Sequence, residues 1–491
     1  MRATSAETVR GWATGRAIDL WIVLGEHIDV GAAEADGGLV RTADEDDLFA
    51  VFSALRETDV LDLRRVGVVS RSAVGVETGR RAGAAAVVAV AGTAPVDQLL
   101  AAEPDAVVEE PALGALYTER YGSRRPFRPQ VLLNPGPALT SDAVKRAAAG
   151  VDLCHREDEY TSLDRRVRDK LRRVAGVGPD WGIALLSGSG TLATETALRA
   201  SVRPARRALV VVNGVYGERI RAMATRAGVE VVTHERGWTE AADSADIAEV
   251  LARAPDIDVV AVVHHETTTG MLNPVDEIAA VARDAGVRVL VDAVSSFGAE
   301  ELPLEGSGID FVACSSNKCL QGLPGASFVF VSPAGLERLE SVRPSSVYLD
   351  LAGYLRGAET GSVPFTPPIP AVAALDVALD EVLVRGAEAH RRLYAERAAV
   401  LDEVLAEIGL EPIIEPHRRS RTVRSLPLPA GVEYAALHDQ LKREGFVIYA
   451  GQGALADEIF RVCCMGTLEP ELLRLFGARL AAALVPEPTP A

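Results

Sequence analysis

A lysine and an aspartate, each at the end of an apolar run, are the residues best suited to chemistry in this chain. Lys318 follows the run Ile309 to Ala313, and Asp292 closes the run Val287 to Val291. A lysine amine forms a Schiff base with an aldehyde, and a carboxylate keeps a pyridine nitrogen protonated so that the ring can accept electrons. The pair predicts pyridoxal phosphate (PLP) chemistry. The structural alternative is a solvated lysine and a capping aspartate.

A glycine- and serine-rich turn, Ser187–Thr191, lies between an apolar run and a helical pattern. Glycines let the backbone approach an anion, and a helix N-terminus supplies free N–H groups, so a phosphate is the expected guest. The turn is not a Walker loop, because no GKS or GKT follows it. It is also not a GxSxG nucleophile elbow, because neither serine has a glycine two residues later.

Two more polar turns follow the next apolar runs. Tyr216 lies in Asn213–Gly217, where its ring could stack on a pyridine ring or simply close a strand–helix turn. Thr267 lies in His265–Gly270, where a hydroxyl could bond a phenolic oxygen of the cofactor. This second stretch is not the zinc motif HExxH, because Thr269 stands where the second histidine would be needed.

The elements that must position these residues are short, β-branched apolar runs that alternate with Ala/Arg-rich amphipathic segments. Such runs are typical of strands buried on both faces, and they predict an α/β fold with a mostly parallel sheet. Ligands of such sheets bind beyond the carboxyl ends of the strands. The strand candidates are Ala208–Val212, Val229–Thr233, Val259–Val263, Val287–Val291, Ile309–Cys314 and Ala326–Val331.

Three domains are predicted, over residues 1–125, 126–375 and 376–491. A long helical pattern, Ala371 to Ile408, leads into the last domain, which continues with a small α+β tail. The first has its own strand–helix–strand pattern, made of Val66–Val69, Val74–Ala82 and Ala85–Val90.

Composition narrows the class of protein. A net charge of −18 argues against nucleic acid or an anionic membrane as a partner. The chain contains no apolar run long enough to span a bilayer and no secretory signal pattern. Its five cysteines show neither metal-binding nor disulfide spacing, which predicts no metal site and a reducing cytoplasm.

From Val131 to about Leu484 the chain resembles the class V, fold type I PLP-dependent aminotransferases. Within that family it most resembles the branch that uses 2-aminoethylphosphonate and pyruvate. The shared stretches are Leu132–Pro137, Asp152–Tyr160, Ser187–Thr191, Asn213–Gly217, Glu266–Pro274, Asp292–Gly298, Ser316–Gly322, Phe365–Pro367 and Gly445–Tyr449. The resemblance implies a large PLP-binding domain and a small C-terminal domain.

The resemblance also implies a role for each matching residue. Lys318 would form the Schiff base, and Asp292 would pair with the pyridine nitrogen. The other implied cofactor contacts are Ser189, Gly190 and Thr191 at the phosphate, Tyr216 on the ring, Thr267 at the phenolic oxygen, and Asn317. Thr366 would complete the phosphate site of a neighbouring subunit, so a homodimer with shared active sites is expected. Arg461 would bind the substrate carboxylate, because a guanidinium forks onto that planar anion.

Two departures from the family pattern concern the substrate. Pro364 precedes Phe365 where a basic residue is usual, and Gln452 stands where the family tends to have lysine. The expected substrate is therefore 2-aminoethylphosphonate or a close aminophosphonate, with pyruvate or alanine as the partner. The alternatives are a PLP-dependent lyase, a transaminase of another small amine, and a PLP fold that has lost activity.

The N-terminal part has a separate resemblance. Trp21–Gly31 and Val66–Gly83 resemble two pieces of a haloacid-dehalogenase-type phosphonatase. Ile22 stands where the nucleophilic aspartate is expected, and Ser70-Arg71-Ser72 replaces a metal-binding Gly-Asp-Ser. Without those aspartates there is neither a nucleophile nor a Mg²⁺ site. We therefore expect a non-catalytic unit that helps folding, dimerisation or docking.

Overall fold

The computed structural model describes residues 20–24, 39–43, 66–70, 72–81, 86–91, 106–109 and 130–484. These residues form two compact units. The first draws on Met1–Val131, Gly431–Val447 and Pro470–Ala491, and the second on Leu132–Ala430 and Ile448–Glu469. All predicted site residues belong to the second unit. The domain boundaries at 125 and 375 stay a prediction.

Short strands and helices alternate along the chain. The strands are β1 Leu20–Leu24, β2 Leu39–Ala43, β3 Val66–Ser70, β4 Ala86–Ala91, β5 Ala106–Glu109, β6 Val131–Leu132, β7 Gly182–Ser187, β8 Arg207–Val212, β9 Glu230–Glu235, β10 Ile257–Val263, β11 His265–Glu266, β12 Met271–Leu272, β13 Arg288–Asp292, β14 Phe311–Ser315, β15 Ala326–Val331, β16 Val423–Pro427, β17 Phe446–Val447, β18 Tyr449–Ala450 and β19 Ile459–Cys463. The helices are α1 Ala73–Arg81, α2 Asp142–Ala148, α3 Asp158–Ala175, α4 Gly190–Ser201, α5 Val215–Arg226, α6 Ser244–Arg253, α7 Val275–Asp284, α8 Pro333–Leu339, α9 Leu351–Thr360, α10 Ile369–Arg385, α11 Ala387–Glu407, α12 Tyr434–Arg443 and α13 Pro470–Leu484.

In the first unit, five of the described strands form a parallel sheet in the order β2-β1-β3-β4-β5. The predicted strand–helix–strand pattern is confirmed as β3, α1 and β4. Several residues on which the phosphonatase-like resemblance rests, including 25–31, Arg71 and 82–83, lie outside the described residues. The resemblance of this unit to a phosphonatase therefore stays a prediction.

The second unit is built on a seven-stranded sheet in the order β7-β15-β14-β13-β10-β8-β9. Its β8, β9, β10, β13 and β14 run parallel, whereas β15 is antiparallel to both neighbours. Every residue of β10 is buried, as expected for a strand covered on both faces. This confirms the predicted α/β fold with a mostly parallel sheet.

This sheet topology brings the predicted site to one edge. Because β7 and β14 are both antiparallel to β15, β7 runs in the same direction as β14 and its parallel neighbours. The carboxyl ends of β7, β8, β10, β13 and β14 therefore lie on the same side of the sheet. The three polar turns identified in the sequence follow β7, β8 and β10, while Asp292 ends β13 and Lys318 follows β14. All lie at the place where α/β sheets bind ligands.

The C-terminal part of the second unit contains a three-stranded antiparallel sheet in the order β16-β19-β18. The single helical pattern predicted from Ala371 to Ile408 is in fact two helices, α10 and α11, which divide at Gly386. None of the described helices is both long enough and apolar enough to cross a membrane.

Candidate active site

Lys318 lies three residues beyond the end of β14, and its side chain is half-buried. Its Nζ donates a hydrogen bond to the Pro135 carbonyl. The neighbouring Asn317 is held by two bonds, since its Oδ1 accepts from Ser315 Oγ at 3.0 Å and its carbonyl accepts from the Ala138 amide at 3.0 Å. These contacts hold the lysine amine at the edge of the sheet, against the segment that contains Pro135.

Asp292 ends β13, between β10 and β14, and is 9% exposed. Its Oδ2 accepts from Thr194 Oγ1 at 2.9 Å, and its Oδ1 accepts from the Val294 amide at 3.0 Å. Burial raises the pKa of the carboxyl above its usual value, and the two donors oppose that shift. A cation beside the carboxylate would lower this pKa and favour the charged form, so the group is suited to pairing with a protonated ring nitrogen.

The glycine- and serine-rich turn forms a cradle between β7 and α4. Ser189 occupies the N-cap of α4, but its hydroxyl makes no capping bond. Gly190 must lack a side chain, because a Cβ there would lie 2.5 Å from Val294 Cγ2. The first-turn amides of a helix have no intrahelical acceptor, so they and the exposed Ser189 and Thr191 hydroxyls can receive an anion.

Tyr216 lies in the first turn of α5, and a carboxylate from another element fixes that turn. Glu266 Oε2 accepts from the amides of Tyr216 at 3.1 Å and Gly217 at 3.2 Å, while Thr268 Oγ1 accepts from the Val215 amide at 3.1 Å. Burial raises the pKa of Glu266 to about 7 despite these donors. Anchoring the helix N-terminus in this way orients the Tyr216 ring.

Thr267 and Arg461 are linked at the hairpin formed by β11 and β12. Thr267 is fully buried, and its Oγ1 has no hydrogen-bond partner within the described structure. Arg461, in β19, is only 1% exposed, and its Nη1 donates to the Thr267 carbonyl at 2.9 Å. A buried hydroxyl without a partner costs free energy, so this oxygen is suited to bonding a polar group of a ligand.

Thr366 is exposed, and its backbone contacts the cradle of its own chain. Its carbonyl accepts from Ser187 Oγ at 3.3 Å. The preceding Phe365 packs on Tyr348, with ring centroids 4.9 Å apart. The contribution of the Thr366 side chain to a neighbouring subunit is a separate question and stays a prediction.

Some residues at this site were not identified from the sequence. Thr194 orients Asp292, Glu266 anchors α5, and Arg219 donates to Thr191 Oγ1 at 3.3 Å while its guanidinium lies 4.6 Å from the Tyr216 ring centroid. Of these three residues, only Arg219 could have been found from the sequence. It follows Tyr216 by three positions, and residues three apart on a helix are neighbours. The other two contacts join distant segments, which a single sequence does not reveal.

Within the described part of the chain, no group of three or more His, Cys, Asp and Glu side chains is arranged to hold a metal ion. All five cysteines are free thiols, and Cys154 alone among them is exposed. The groups that the structure brings to the site are the Lys318 amine, the Asp292 carboxylate, several hydroxyls, the Tyr216 ring and the buried Arg461 guanidinium.

Comparisons with known proteins agree with this arrangement. The family described as Aminotransferase class-V matches residues 141–462. A 2-aminoethylphosphonate–pyruvate transaminase of Burkholderia thailandensis is 38% identical over 363 residues, covering 73% of this chain and 98% of the relative. The chain belongs to the class V aminotransferases. A second relative with the same name, from Burkholderia ambifaria, is 36% identical over 360 residues, which cover 72% of this chain and 95% of the relative.

Solved aminotransferase structures share the fold. An aspartate aminotransferase of subgroup IV from Thermus thermophilus is 33% identical, with a TM-score of 0.66, and covers 72% of this chain and 99% of its own. An alanine–glyoxylate aminotransferase from Nostoc sp. is 27% identical, with a TM-score of 0.70, and covers 75% of this chain and 100% of its own.

Like other class V aminotransferases, this enzyme is PLP-dependent, which confirms the cofactor prediction. The residues present fit the cofactor. Three features at the carboxyl-terminal edge of the sheet, where Lys318 lies, match its groups. They are the buried Thr267 hydroxyl without a partner, the cradle that tolerates no Cβ at Gly190, and the Asp292 carboxylate oriented by two donors.

Proposed function

We propose that this enzyme transfers an amino group from 2-aminoethylphosphonate, or a close aminophosphonate, to pyruvate. The products are phosphonoacetaldehyde and alanine, and the reverse direction is equally allowed by the chemistry. The observation that carries the proposal is the 38% identity to a relative of that name over 98% of the relative's length. The buried Arg461 supports it, because both pyruvate and alanine carry a carboxylate that a guanidinium binds.

We further propose the roles of the residues that would hold PLP. Ser189, Gly190 and Thr191 would receive the phosphate, and Tyr216 would stack on the ring. Thr267 Oγ1 would bond the phenolic oxygen, and Asn317 would hold the backbone around the lysine. When bound, PLP supplies an electron sink for the carbon that carries the substrate nitrogen.

The protein's own groups then bind, orient and move protons. Asp292 keeps the ring nitrogen protonated, held in orientation by Thr194 and Val294. The Lys318 amine accepts the proton of the substrate carbon next to the nitrogen, because a positioned amine is an efficient general base. Arg461 fixes the substrate carboxylate, so that this carbon faces the amine.

A PLP-dependent lyase is the alternative from another reaction class. Sulfur-transferring lyases need an accessible thiolate, and burial raises the pKa of Cys463 to about 12 and that of Cys464 to about 11. Both residues are fully buried, so neither is suited to nucleophilic attack. Cys154 is the exposed thiol to control for, with the variant Cys154→Ser.

One experiment separates the two reactions. The purified enzyme is mixed with 2-aminoethylphosphonate and pyruvate, and alanine and ammonia are measured. We expect alanine at a rate that depends on both substrates. Ammonia release without pyruvate would favour the lyase, as would alanine formed without pyruvate from added L-cysteine by the wild type but not by Cys154→Ser, which lacks the thiol that would take up the sulfur. Alanine formation from other small amines but not from aminophosphonates would refute the donor assignment.

We also propose a homodimer in which Thr366 completes the phosphate site of the neighbouring subunit. A complementation test addresses this sharing, because each site would take Lys318 from one subunit and Thr366 from the other. The variants Lys318→Ala and Thr366→Ala therefore remove different subunits' contributions to a site. Mixed dimers then contain one intact site, so co-refolded variants should recover about a quarter of wild-type activity. No recovery would indicate that Thr366 acts in its own chain, as its contact with Ser187 would allow.

The N-terminal unit and the cellular location complete the proposal. We propose that the unit is a phosphonatase-like remnant without hydrolase activity. Phosphate release from phosphonoacetaldehyde by the full chain with Mg²⁺ would contradict this. The five free thiols support a cytoplasmic location, since thiols persist in reducing compartments.

A further inference from the structure

The carbonyl of the residue after the lysine accepts two hydrogen bonds from helix α11. The Cys319 oxygen accepts from His390 Nε2 at 2.9 Å and from the Tyr394 hydroxyl at 3.0 Å. His390 and Tyr394 are both buried. Because buried donors at fixed positions constrain the distance and the direction of their acceptor, this helix holds the backbone one residue beyond Lys318.

The tautomer of His390 follows from its second contact. Arg385 Nη1 lies 2.7 Å from His390 Nδ1. A guanidinium can only donate, so Nδ1 must accept, and the ring proton is on Nε2, which donates to the Cys319 carbonyl. Burial lowers the pKa of His390 to about 4, which keeps the ring neutral and this tautomer in place at neutral pH.

Tyr394 also contacts a second point of the lysine loop, which we define as residues 316–322. Its hydroxyl accepts from Gln321 Nε2 at 2.9 Å, and the Gln321 amide donates to the Lys318 carbonyl at 3.0 Å. Gln321 has a φ of 62°, a conformation that is uncommon for residues other than glycine. Such a residue needs surrounding contacts to hold it, and the Tyr394 hydroxyl supplies one of them.

We propose that Tyr394 and His390 are positioning residues that fix the backbone of the lysine loop, so that the Lys318 amine is presented to the cofactor in one orientation. The proposal rests on the role given to Lys318 under the proposed function. The Asn317 carbonyl accepts from the Ala138 amide, so three consecutive carbonyls, from residue 317 to residue 319, are bonded. A shift of about 1 Å in a reacting group can lower a rate about a hundredfold, so the root of the lysine side chain needs such support.

The two side chains are tested with variants that each change one donor. Tyr394→Phe keeps the ring and removes the hydroxyl that bonds both Cys319 and Gln321. His390→Leu removes the other donor, whereas His390→Gln places an amide N–H near the position of Nε2 and should restore the bond. Tyr160→Phe is the matched control, because it removes the hydroxyl of another buried tyrosine, which lies in α3 and in a separate apolar cluster.

Hydrogen–deuterium exchange of the lysine loop is measured first, in the full chain with and without added PLP, so that this result is independent of activity. We expect the loop amides to exchange about tenfold faster in Tyr394→Phe and His390→Leu, since each change leaves a buried acceptor with one donor fewer. His390→Gln and Tyr160→Phe should stay within about twofold of wild type.

The second measurement is the visible circular dichroism of bound PLP, which depends on the orientation of the cofactor, together with the half-reaction with alanine. We expect a weaker dichroic band and a rate about tenfold lower in Tyr394→Phe and His390→Leu, with the KM for pyruvate within about twofold of wild type. Exchange and dichroism that match Tyr160→Phe in both variants would overturn the proposal. If the loop responds as stated but Lys318→Ala retains the covalent cofactor band, the role of Lys318 fails and the support of the loop by α11 stands.

Discussion

Replacing Thr194 with valine tests how the site orients Asp292. Valine has nearly the shape of threonine but cannot donate the 2.9 Å hydrogen bond to Asp292 Oδ2. Hydrogen bonds to charged groups contribute about 1.5–3 kcal/mol. The same hydroxyl also lies 3.1 Å from the Gly190 carbonyl, so the bond is shared and the lower part of that range applies.

Loss of this bond raises the pKa of Asp292, because the charged form of the carboxyl loses a donor. It also weakens the carboxylate as a partner for the ring nitrogen. We therefore expect Thr194→Val to slow the half-reaction with alanine about tenfold. The KM for pyruvate should change little, because the proposed carboxylate-binding residue is Arg461 and not Asp292. The rate is measured by stopped-flow absorbance of the bound cofactor across a pH series.

Thr196→Val is the matched control for this experiment. Thr196 is buried in the same helix, α4, and its hydroxyl has no hydrogen-bond partner within the described structure. Removing that hydroxyl should leave the half-reaction rate within about twofold of wild type and the stability equal or higher. Asp292→Asn provides the lower limit of the rate. Equal rates for Thr194→Val and Thr196→Val would refute the proposed role of the bond.

Three further predictions concern the cofactor and stability. Lys318→Ala should abolish the absorbance of the covalently bound cofactor, and its persistence would contradict the site. Arg219→Met should weaken PLP binding about fivefold, because Arg219 contacts Thr191 at the phosphate cradle. Binding of pyridoxal, which lacks the phosphate, should stay unchanged, and equal losses for both ligands would contradict this role. Burial lowers the pKa of His390 from 6.5 to about 4, so unfolding takes up a proton between these values and the free energy of unfolding falls as the pH drops through them. His390→Gln should flatten that pH dependence in urea titrations, and an unchanged slope would argue against this assignment.

Much of the fold was predictable because the strands of a covered parallel sheet are nearly all apolar. The runs at β8, β10, β13, β14 and β15 were identified to within about two residues, since burial on both faces demands continuous β-branched side chains. The division of α10 and α11 was missed. Both flanking segments are strongly helical, and the single Gly386 between them is a weak signal against continuity.

The sequence by itself determined the cofactor class, through its resemblance to the class V aminotransferases. Local rules of strand and helix ends placed the lysine, the aspartate and the glycine-rich turn at the ends of elements, and their roles are what the resemblance implies. Only the tertiary structure decided which groups orient them. Thr194 bonds Asp292, 98 positions away in the sequence, and Arg461 bonds the Thr267 carbonyl, 194 positions away. The sequence does not reveal such pairs, because hydrogen bonds depend on distance in space and each hydroxyl or carbonyl has many possible partners in the chain.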